Sequence, residues 1–153
     1  MTTEKLLSES VGRLRNRIGA RLKDLGSSVV DPVSVRRYRE AMGLESNPEL
    51  GVPAMMVAHL LRADADVSKD QRPSESIDDV LGNPVNGGTE IHFKRPLKLG
   101  DVVSGELILV DASLKAGKSG PLAVVITEAR YVDAQAREIA KARSTMIYRG
   151  VRA

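Results

Sequence analysis

Apolar side chains recur at steps of three and four residues from Glu4 to Leu25, and this spacing predicts an amphipathic helix. The apolar positions are Leu7, Val11, Leu14, Ile18, Leu22 and Leu25, and the opposite face carries Lys5, Arg13, Arg15, Arg17, Arg21 and Lys23. Gly26 is the predicted end of this helix. We expect residues 1–28 to form a basic surface helix that packs on its own domain, residues 29–153, or on a partner subunit. A membrane surface or a phosphate group is the alternative contact.

Two further helices are predicted before the chain turns to strands. Asp31-Pro32 begins the first of them, because Asp can cap free N–H groups and Pro is tolerated at the first helical position. Its predicted buried face is Val35, Tyr38 and Met42, and its predicted end is Gly43. The next helix follows Gly51-Val52-Pro53 and runs from Ala54 to about Ala63. It is apolar around most of its girth, which predicts a buried helix; the apolar residues are Met55, Met56, Val57, Leu60 and Leu61.

Strands dominate the second half of the predicted fold. Glu90–Phe93 alternates polar and apolar residues, and Pro96, which has no N–H, ends that strand. The other predicted strands are Val102–Leu114, Leu122–Val132 and Glu138–Arg149, with a hairpin loop at residues 115–121. The remaining predictions are a short strand at Val29-Val30, a polar loop at Arg62–Asp79, a strand beginning at Val80-Leu81, and turns at Asn83-Pro84 and Asn86-Gly87-Gly88. Helices followed by antiparallel strands make the predicted fold class α+β.

Composition narrows the classes of function. The 153 residues fit one domain with a formal net charge of +3, and the absence of Cys excludes disulfides, zinc–thiolate sites and Cys nucleophiles. With only two His, we expect no transition-metal site and no cofactor. One Phe, three Tyr and no Trp argue against single-stranded nucleic-acid binding, which relies on aromatic stacking. We expect a cytoplasmic protein, because the sequence has no long apolar run and no secretory signal.

The stretch from Glu90 to Asp101 carries a resemblance to a known family. Its order of strand, Arg95-Pro96, basic turn and Gly100-Asp101 resembles the Arg-Pro-x-x-x-Gly-Asp signature of MaoC-like hotdog-fold dehydratases, in particular their N-terminal, fatty-acid-synthase-type domain. The helix from Asp31 to Gly43 and the segment after Gly51 also look like that domain, so the resemblance covers about Val29 to Arg149. It implies a single hotdog fold, an antiparallel sheet wrapped around a buried central helix.

The sequence departs from the family at its catalytic motif. The family usually continues after the helix ending at Gly43 with Gly-Asp-x-Asn-Pro-x-His, whose Asp and His are the acid/base pair. Here Asn47-Pro48 is kept, but Leu44 and Leu50 stand where the Asp and the His are expected. Leucine cannot take up or deliver a proton, so no catalytic residue is expected from this motif. The other candidate acid/base groups are Glu45, Glu49 and His59.

The resemblance implies a domain that acts on, or binds, acyl-CoA or acyl-carrier thioesters and pairs with a second hotdog edge to edge. In two-hotdog relatives, the domain without the Asp/His pair shapes the acyl pocket. We therefore interpret the chain as the non-catalytic, substrate-shaping subunit of a heteromeric enoyl-CoA hydratase or (3R)-hydroxyacyl thioester dehydratase. Its partner is expected to be a catalytic hotdog hydratase or a second copy of itself. The alternatives are a homodimeric hydratase or thioesterase, a non-enzymatic acyl-CoA-binding hotdog, and a nucleic-acid module resting on the basic helix alone.

Two groups of residues are candidates for substrate binding. Met55, Met56, His59 and Leu60 either line an acyl pocket or pack in an ordinary core; methionine suits a pocket because it is unbranched and polarizable. Lys94, Arg95 and Lys98 cluster at the turn around Pro96 and either bind the phosphates of the carrier or form a solvated turn.

Overall fold

A five-stranded antiparallel sheet is the framework of the computed structural model, which describes residues 2–61, 81, 82 and 84–150. The strands are β1 (Arg21–Val29), β2 (Pro84–Phe93), β3 (Val102–Gly117), β4 (Gly120–Val132) and β5 (Glu138–Tyr148). Their order across the sheet is β1-β3-β4-β5-β2, so β1 and β2 are the two edges. The link from β2 to β3 therefore passes the ends of β4 and β5.

The helices within the described residues all precede β2, as the sequence predicts. They are α1 (Thr3–Arg15), α2 (Pro32–Ala41) and α3 (Val57–Leu60), and single 3₁₀ turns span Pro48–Leu50 and Ala54–Met56. Asp31 caps α2 as predicted, since its Oδ1 accepts the backbone N–H of Ser34 at 2.9 Å. The α+β prediction is confirmed. Among the described residues, no helix has the length and apolar character needed to cross a membrane.

The N-terminal helix is shorter than predicted. It ends at Arg15, and residues from Arg21 onward form the edge strand β1, so Leu22 and Leu25 lie on a strand. Gly19 separates the two elements with a φ of 86°, a left-handed conformation that is cheap only for glycine. Gly26, the predicted helix end, lies inside β1 beside a register shift. Strand β1 crosses the predicted division between residues 28 and 29.

Several local predictions are also corrected. The segment Asn86-Gly87-Gly88 is part of β2 and forms a bulge there, because Gly88 pairs with Thr145. The β3–β4 hairpin is tighter than predicted, since the strands reach Gly117 and restart at Gly120. Met42 is 58% exposed, because it follows the last turn of α2. Leu81 is helical and buried. The predicted loop Arg62–Asp79, the end of the third helix, Val80 and Asn83 lie outside the described residues.

One face of the sheet, the core face, packs against the helices and carries two hydrophobic clusters. Cluster 1 lies under α2 and α3; its buried residues are Val30, Val35, Met56, Val57, Leu60, Leu61, Leu97, Val103, Ala129, Tyr131, Ile139, Ala140 and Ala142. Cluster 2 lies under α1; its buried residues are Leu7, Val11, Leu14, Leu22, Leu81, Leu109, Ala112, Ala123, Val125 and Tyr148. The opposite side of the sheet, the outer face, carries a mixture of polar and partly buried apolar side chains.

Candidate functional site

The signature turn between β2 and β3 is held by one arginine. The guanidinium of Arg95 donates to both carboxylate oxygens of Asp101, at 2.7 and 3.3 Å, and to Asp133 at 3.3 Å. It also donates to the Pro96 carbonyl at 2.9 Å. Asp133 begins the β4–β5 turn, so Arg95 joins the β2–β3 connection to the neighbouring hairpin that it passes.

The aspartate of the signature completes the turn. Asp101 Oδ2 accepts the Lys98 N–H at 2.8 Å, and Gly100 adopts a φ of 86°, which favours glycine. The backbone of Gly100 and Asp101 exchanges two 2.8 Å hydrogen bonds with Val30, the residue before the cap of α2. Leu97 is buried in cluster 1. The signature therefore has a structural role, because it fixes the start of α2 against the start of β3.

Ion pairing shifts the titration of these groups. The pKa of Asp101 is lowered: burial works in the opposite direction, but the Arg95 guanidinium and the Lys98 N–H outweigh it. The pKa of Asp133 is also lowered, since backbone N–H groups of Arg137 and Gln135 and both arginines outweigh its burial. Asp101 in turn raises the pKa of Arg95. All three groups are therefore charged at neutral pH.

An open cleft of about 380 Å³ adjoins this turn. Its lining is four cationic and two acidic residues: Lys94, Arg95, Lys98, Arg137, Asp101 and Glu138. Arg95 is committed to the two aspartates, while Lys94 and Lys98 are exposed. The structure thus brings the three predicted phosphate-binding residues to one cleft, where the side chains of Lys94 and Lys98 make no ion pair with a described residue.

The loop after α2 lies at the surface and is held by side-chain hydrogen bonds. Arg39 of α2 donates to the carbonyl oxygens of Glu45 and Gly51, the latter at 2.9 Å. The Asn47 side chain accepts the Glu49 N–H at 3.0 Å and caps the short 3₁₀ turn that begins at Pro48. The retained Asn-Pro pair is therefore a local structural cap.

The residues at the two motif positions are exposed on this loop. Leu44 is 47% and Leu50 is 55% exposed. The carboxylates of Glu45 and Glu49 make no hydrogen bond or ion pair within the part of the chain that the structure describes. Neither glutamate is thus held in place for proton transfer in this chain alone.

The predicted acyl-pocket residues divide between core and surface. Met56 and Leu60 are buried in cluster 1, whereas Met55 is 46% exposed. His59 is exposed, and its ring lies 5.5 Å from the ring of Tyr38 at a tilt of 46°. Leu97, which lies in the turn between Arg95 and Lys98, is buried in cluster 1 together with Met56 and Leu60. The candidate acyl-pocket residues and the candidate phosphate-binding residues therefore border the same core. No group of three or more His, Asp or Glu among the described residues is arranged to hold a metal ion.

Comparison with known proteins shows what the arrangement resembles. No family model matches the chain, and no curated protein matches it. Solved structures do match. The ChsH1–ChsH2 complex from Mycobacterium tuberculosis has a TM-score of 0.68 at 14% identity, covering 96% of this chain and 93% of that one. A MaoC-like dehydratase from Rhodospirillum rubrum has a TM-score of 0.61 at 14% identity, covering 89% and 94%. The chain has the hotdog fold of the MaoC-like dehydratases.

A third hotdog structure extends the likeness. The HadBC complex from Mycobacterium tuberculosis, described as a 3R-hydroxyacyl-ACP dehydratase, has a TM-score of 0.60 at 13% identity and covers 86% of this chain and 96% of that one. The predicted single hotdog fold is thus confirmed, with a sheet packed on the central helix α3.

Two groups in this hotdog were missed by the sequence reasoning. Glu128 is 5% exposed on the outer face and accepts hydrogen bonds at 2.8 Å from both Arg130 and Arg143. Arg130 first, and Arg143 next, hold its pKa below the ordinary value despite burial. The second missed group is Asp133, whose carboxylate is held by Arg95 and Arg137. The sequence offered one signal for Glu128, an acidic residue inside a β-branched strand, but its partner Arg143 lies on another strand.

Proposed function

We propose that this chain is the non-catalytic, substrate-shaping subunit of a heteromeric enoyl-CoA hydratase or (3R)-hydroxyacyl thioester dehydratase. The observation that carries the proposal is the pair of exposed leucines, Leu44 and Leu50, at the positions where the resembled motif has its Asp and His. Hydration of an enoyl thioester needs a base to activate water and an acid to protonate the α-carbon. Leucine supplies neither group, so the chemistry belongs to a partner.

The edge strand β2 supports pairing with that partner. Among the described strands, β2 has one neighbour, β5, and no described strand pairs with its other side, so a further strand can add there. Two large apolar side chains on β2 are exposed, Val85 at 49% and Phe93 at 42%. A second hotdog that adds its edge strand here would extend the sheet and cover both side chains.

The surfaces around cluster 1 fit a shared thioester site. Met55 and His59 lie at the surface of the central helix segment, next to the buried Met56. Lys94 and Lys98 offer two exposed cations to the phosphates of CoA or of an acyl carrier. Arg95 contributes indirectly, because its guanidinium is bound by Asp101 and Asp133 and fixes the turn that presents the lysines.

Co-expression with hotdog hydratases that carry the Gly-Asp-x-Asn-Pro-x-His motif tests the proposal. We expect the tagged chain to retain such a partner and the complex to hydrate enoyl thioesters. Phe93→Asp should abolish retention, because it places a charge beside the β2 edge. Leu114→Asp is the matched control, since Leu114 is 38% exposed on β3, away from that edge. Retention of the partner by Phe93→Asp at the level of the control would contradict pairing at β2.

A further inference from the structure

Three hydroxyl side chains form a row across the core face of the sheet. Thr127 on β4 pairs with Ser144 on β5, and Ser144 pairs with Thr89 on β2, so the three occupy consecutive strands at one level. Val125 and Ala129 flank Thr127 on the same face of β4, and both are buried core residues. We call these three residues, Thr127, Ser144 and Thr89, the hydroxyl row. It lies on the side of the sheet that faces the helices.

The hydroxyl row runs between the two hydrophobic clusters. On β4, Ala129 belongs to cluster 1 and Val125 to cluster 2. On β5, Ala142 belongs to cluster 1, and Met146 packs against cluster 2. On β3, Leu109 pairs with Thr127, so the residue that follows Thr127 across the sheet is apolar. Domains of this size usually have one continuous hydrophobic core. A row of polar side chains that separates two hydrophobic clusters is therefore unusual.

Thr127 has a hydrogen-bonding capacity that the described residues leave unused. It is 8% exposed, and its hydroxyl makes no hydrogen bond with any described residue. Every fully enclosed side-chain nitrogen or oxygen in that part of the chain has a partner. The Thr127 oxygen is therefore not fully enclosed. A hydroxyl that is accessible at an otherwise buried position, and has no partner among the described residues, can bond to a hydrogen-bonding ligand in place of water.

The row is accessible from the edge of the sheet. Thr89 is exposed on the edge strand β2, and its hydroxyl lies 3.0 Å from that of Ser144. One of these two hydroxyls donates to the other, so one proton remains for a further acceptor. Neighbouring strands are about 4.8 Å apart, which places Thr127 about 10 Å inward from β2.

We propose that the hydroxyl row binds a hydrogen-bonding group, an amide or a hydroxyl, of a ligand that enters at the β2 edge and lies between the two apolar clusters. This inference rests on the proposed function and specifies its ligand. The CoA and acyl-carrier thioesters of the proposed function carry amide groups between short apolar segments, which is the chemistry that a hydroxyl row between two apolar clusters would match. Two sources offer that chemistry, a hydroxylated acyl chain and the amide-bearing pantetheine arm.

Calorimetric titration of the chain, and of its complex with a hotdog partner, tests the proposal with three probes: CoA, octanoyl-CoA and ω-hydroxyoctanoyl-CoA. Thr127→Val keeps the shape of the side chain and removes the hydroxyl. Thr145→Val is the matched control, because Thr145 follows Ser144 and faces the outer side, opposite Ile126. We expect Thr127→Val to weaken binding about two- to tenfold, the value of one hydrogen bond, and Thr145→Val to leave it unchanged.

The pattern across probes identifies the source. Weaker binding of ω-hydroxyoctanoyl-CoA alone points to the acyl chain, and weaker binding of all three probes points to the pantetheine arm. The melting temperature of Thr127→Val should not fall, because an unpaired hydroxyl is replaced by an apolar group. Parental affinities of Thr127→Val for every probe, or failure of every probe to bind the chain and the complex, would overturn the proposal.

The outcome is separable from that of the proposed function. A complex that hydrates enoyl thioesters, with Thr127→Val binding all probes as the parent does, refutes the hydroxyl row and leaves the proposed function standing. A Thr127→Val defect in probe binding by a chain that forms no active complex supports the row and refutes the proposed function.

Discussion

Glu128 and Asp133 are nearly enclosed carboxylates, and each is held by two arginines. Glu128 accepts from Arg130 and Arg143 on the outer face, and Asp133 accepts from Arg95 and Arg137 in the β4–β5 turn. The arginine partners of Glu128 are about half exposed, at 45% and 53%. Arginine stems can cover the surface beneath them while their charged ends reach water, which accounts for an enclosed carboxylate on this face of the sheet.

Glu128→Gln should destabilise the fold by about 1.5–3 kcal/mol, because hydrogen bonds between charged groups contribute about that much and the enclosed amide would place its NH₂ group against an arginine. The control is Glu106→Gln, which removes the same charge from the outer side of β3, where Glu106 makes no hydrogen bond or ion pair with a described residue. Urea unfolding of both variants provides the measurement. Equal unfolding midpoints would contradict a stabilising role for Glu128.

The stability of the chain should fall in acid. Folding lowers the pKa of Asp101, Asp133 and Glu128 below their ordinary values of 3.8, 3.8 and 4.5. A group with a lowered pKa in the folded state contributes stability above its unfolded pKa and loses it as the pH falls through the folded pKa. The urea midpoint should therefore be constant from about pH 7 to pH 5 and fall below about pH 4.5. Asp133→Asn should reduce that fall. If the variant loses stability in acid as the parent does, Asp133 does not contribute to the pH dependence.

At the level of elements, the first helix shows where sequence periodicity is insufficient. Leu22 and Leu25 continue the helical spacing of α1, yet they lie on β1 and reach the core from there. Two register shifts, between Arg21 and Lys23 and between Asp24 and Gly26, place Leu22 and Leu25 at irregular positions of the strand, and both side chains reach the core. Spacing alone does not distinguish a helix from a strand here, because both leucines would face the core in either element. The deciding feature is the turn after Arg15, where Gly19 adopts a positive φ and the chain changes direction into β1.

Two glycines of this region should respond to alanine with opposite signs. Gly12 lies inside α1, and a Cβ added there meets no atom within 4 Å. Because glycine is unfavourable inside a helix, Gly12→Ala should stabilise the chain by about 0.5–1 kcal/mol. Gly19→Ala forces a Cβ into a left-handed conformation and should destabilise it by about 1–2 kcal/mol. Chemical denaturation of the two variants measures both effects. Stabilisation by Gly19→Ala would indicate that the helix continues beyond Arg15.

The strands and the signature turn were predictable, and their long-range contacts were not. Alternation located β3, β4 and β5 to within a few residues, since one face of each is buried. The sequence identified Arg95-Pro96 and Gly100-Asp101 as a turn, but Asp133, the second partner of Arg95, lies 38 residues further along the chain. The hydroxyl row likewise depends on strand register. Residues distant in sequence come into contact here only through strand pairing, and the register of that pairing cannot be read from a single sequence.

At the scale of the whole molecule, the two edges of the sheet differ. β1 carries the charged residues Arg21, Lys23 and Asp24 along its first half, and charge discourages further pairing. β2 is exposed along nearly its whole length and carries the exposed apolar side chains of Val85 and Phe93 near its two ends. The β2 edge is therefore the side on which a second hotdog is expected to add.

Salt should distinguish phosphate binding from a solvated turn in the assembled complex. Attraction between exposed charges is screened within about 8–10 Å at ordinary ionic strength. Raising salt should raise KM for a CoA thioester and leave kcat nearly unchanged, and Lys98→Ala should flatten that dependence. Lys115→Ala, an exposed lysine near the β3–β4 turn, is the control. A salt dependence that Lys98→Ala and Lys115→Ala alter equally would place the phosphates elsewhere.

The most direct test of the account is the hydration rate of crotonyl-CoA and longer enoyl-CoAs, measured for the purified chain and for the same chain with a motif-bearing hotdog partner. If the proposed function holds, the chain alone lacks the acid/base contribution, which is worth about 10²–10⁴-fold. We predict no turnover by the chain alone and turnover by the complex. A rate near 10 s⁻¹, about the median for enzymes, from the chain alone would contradict the account.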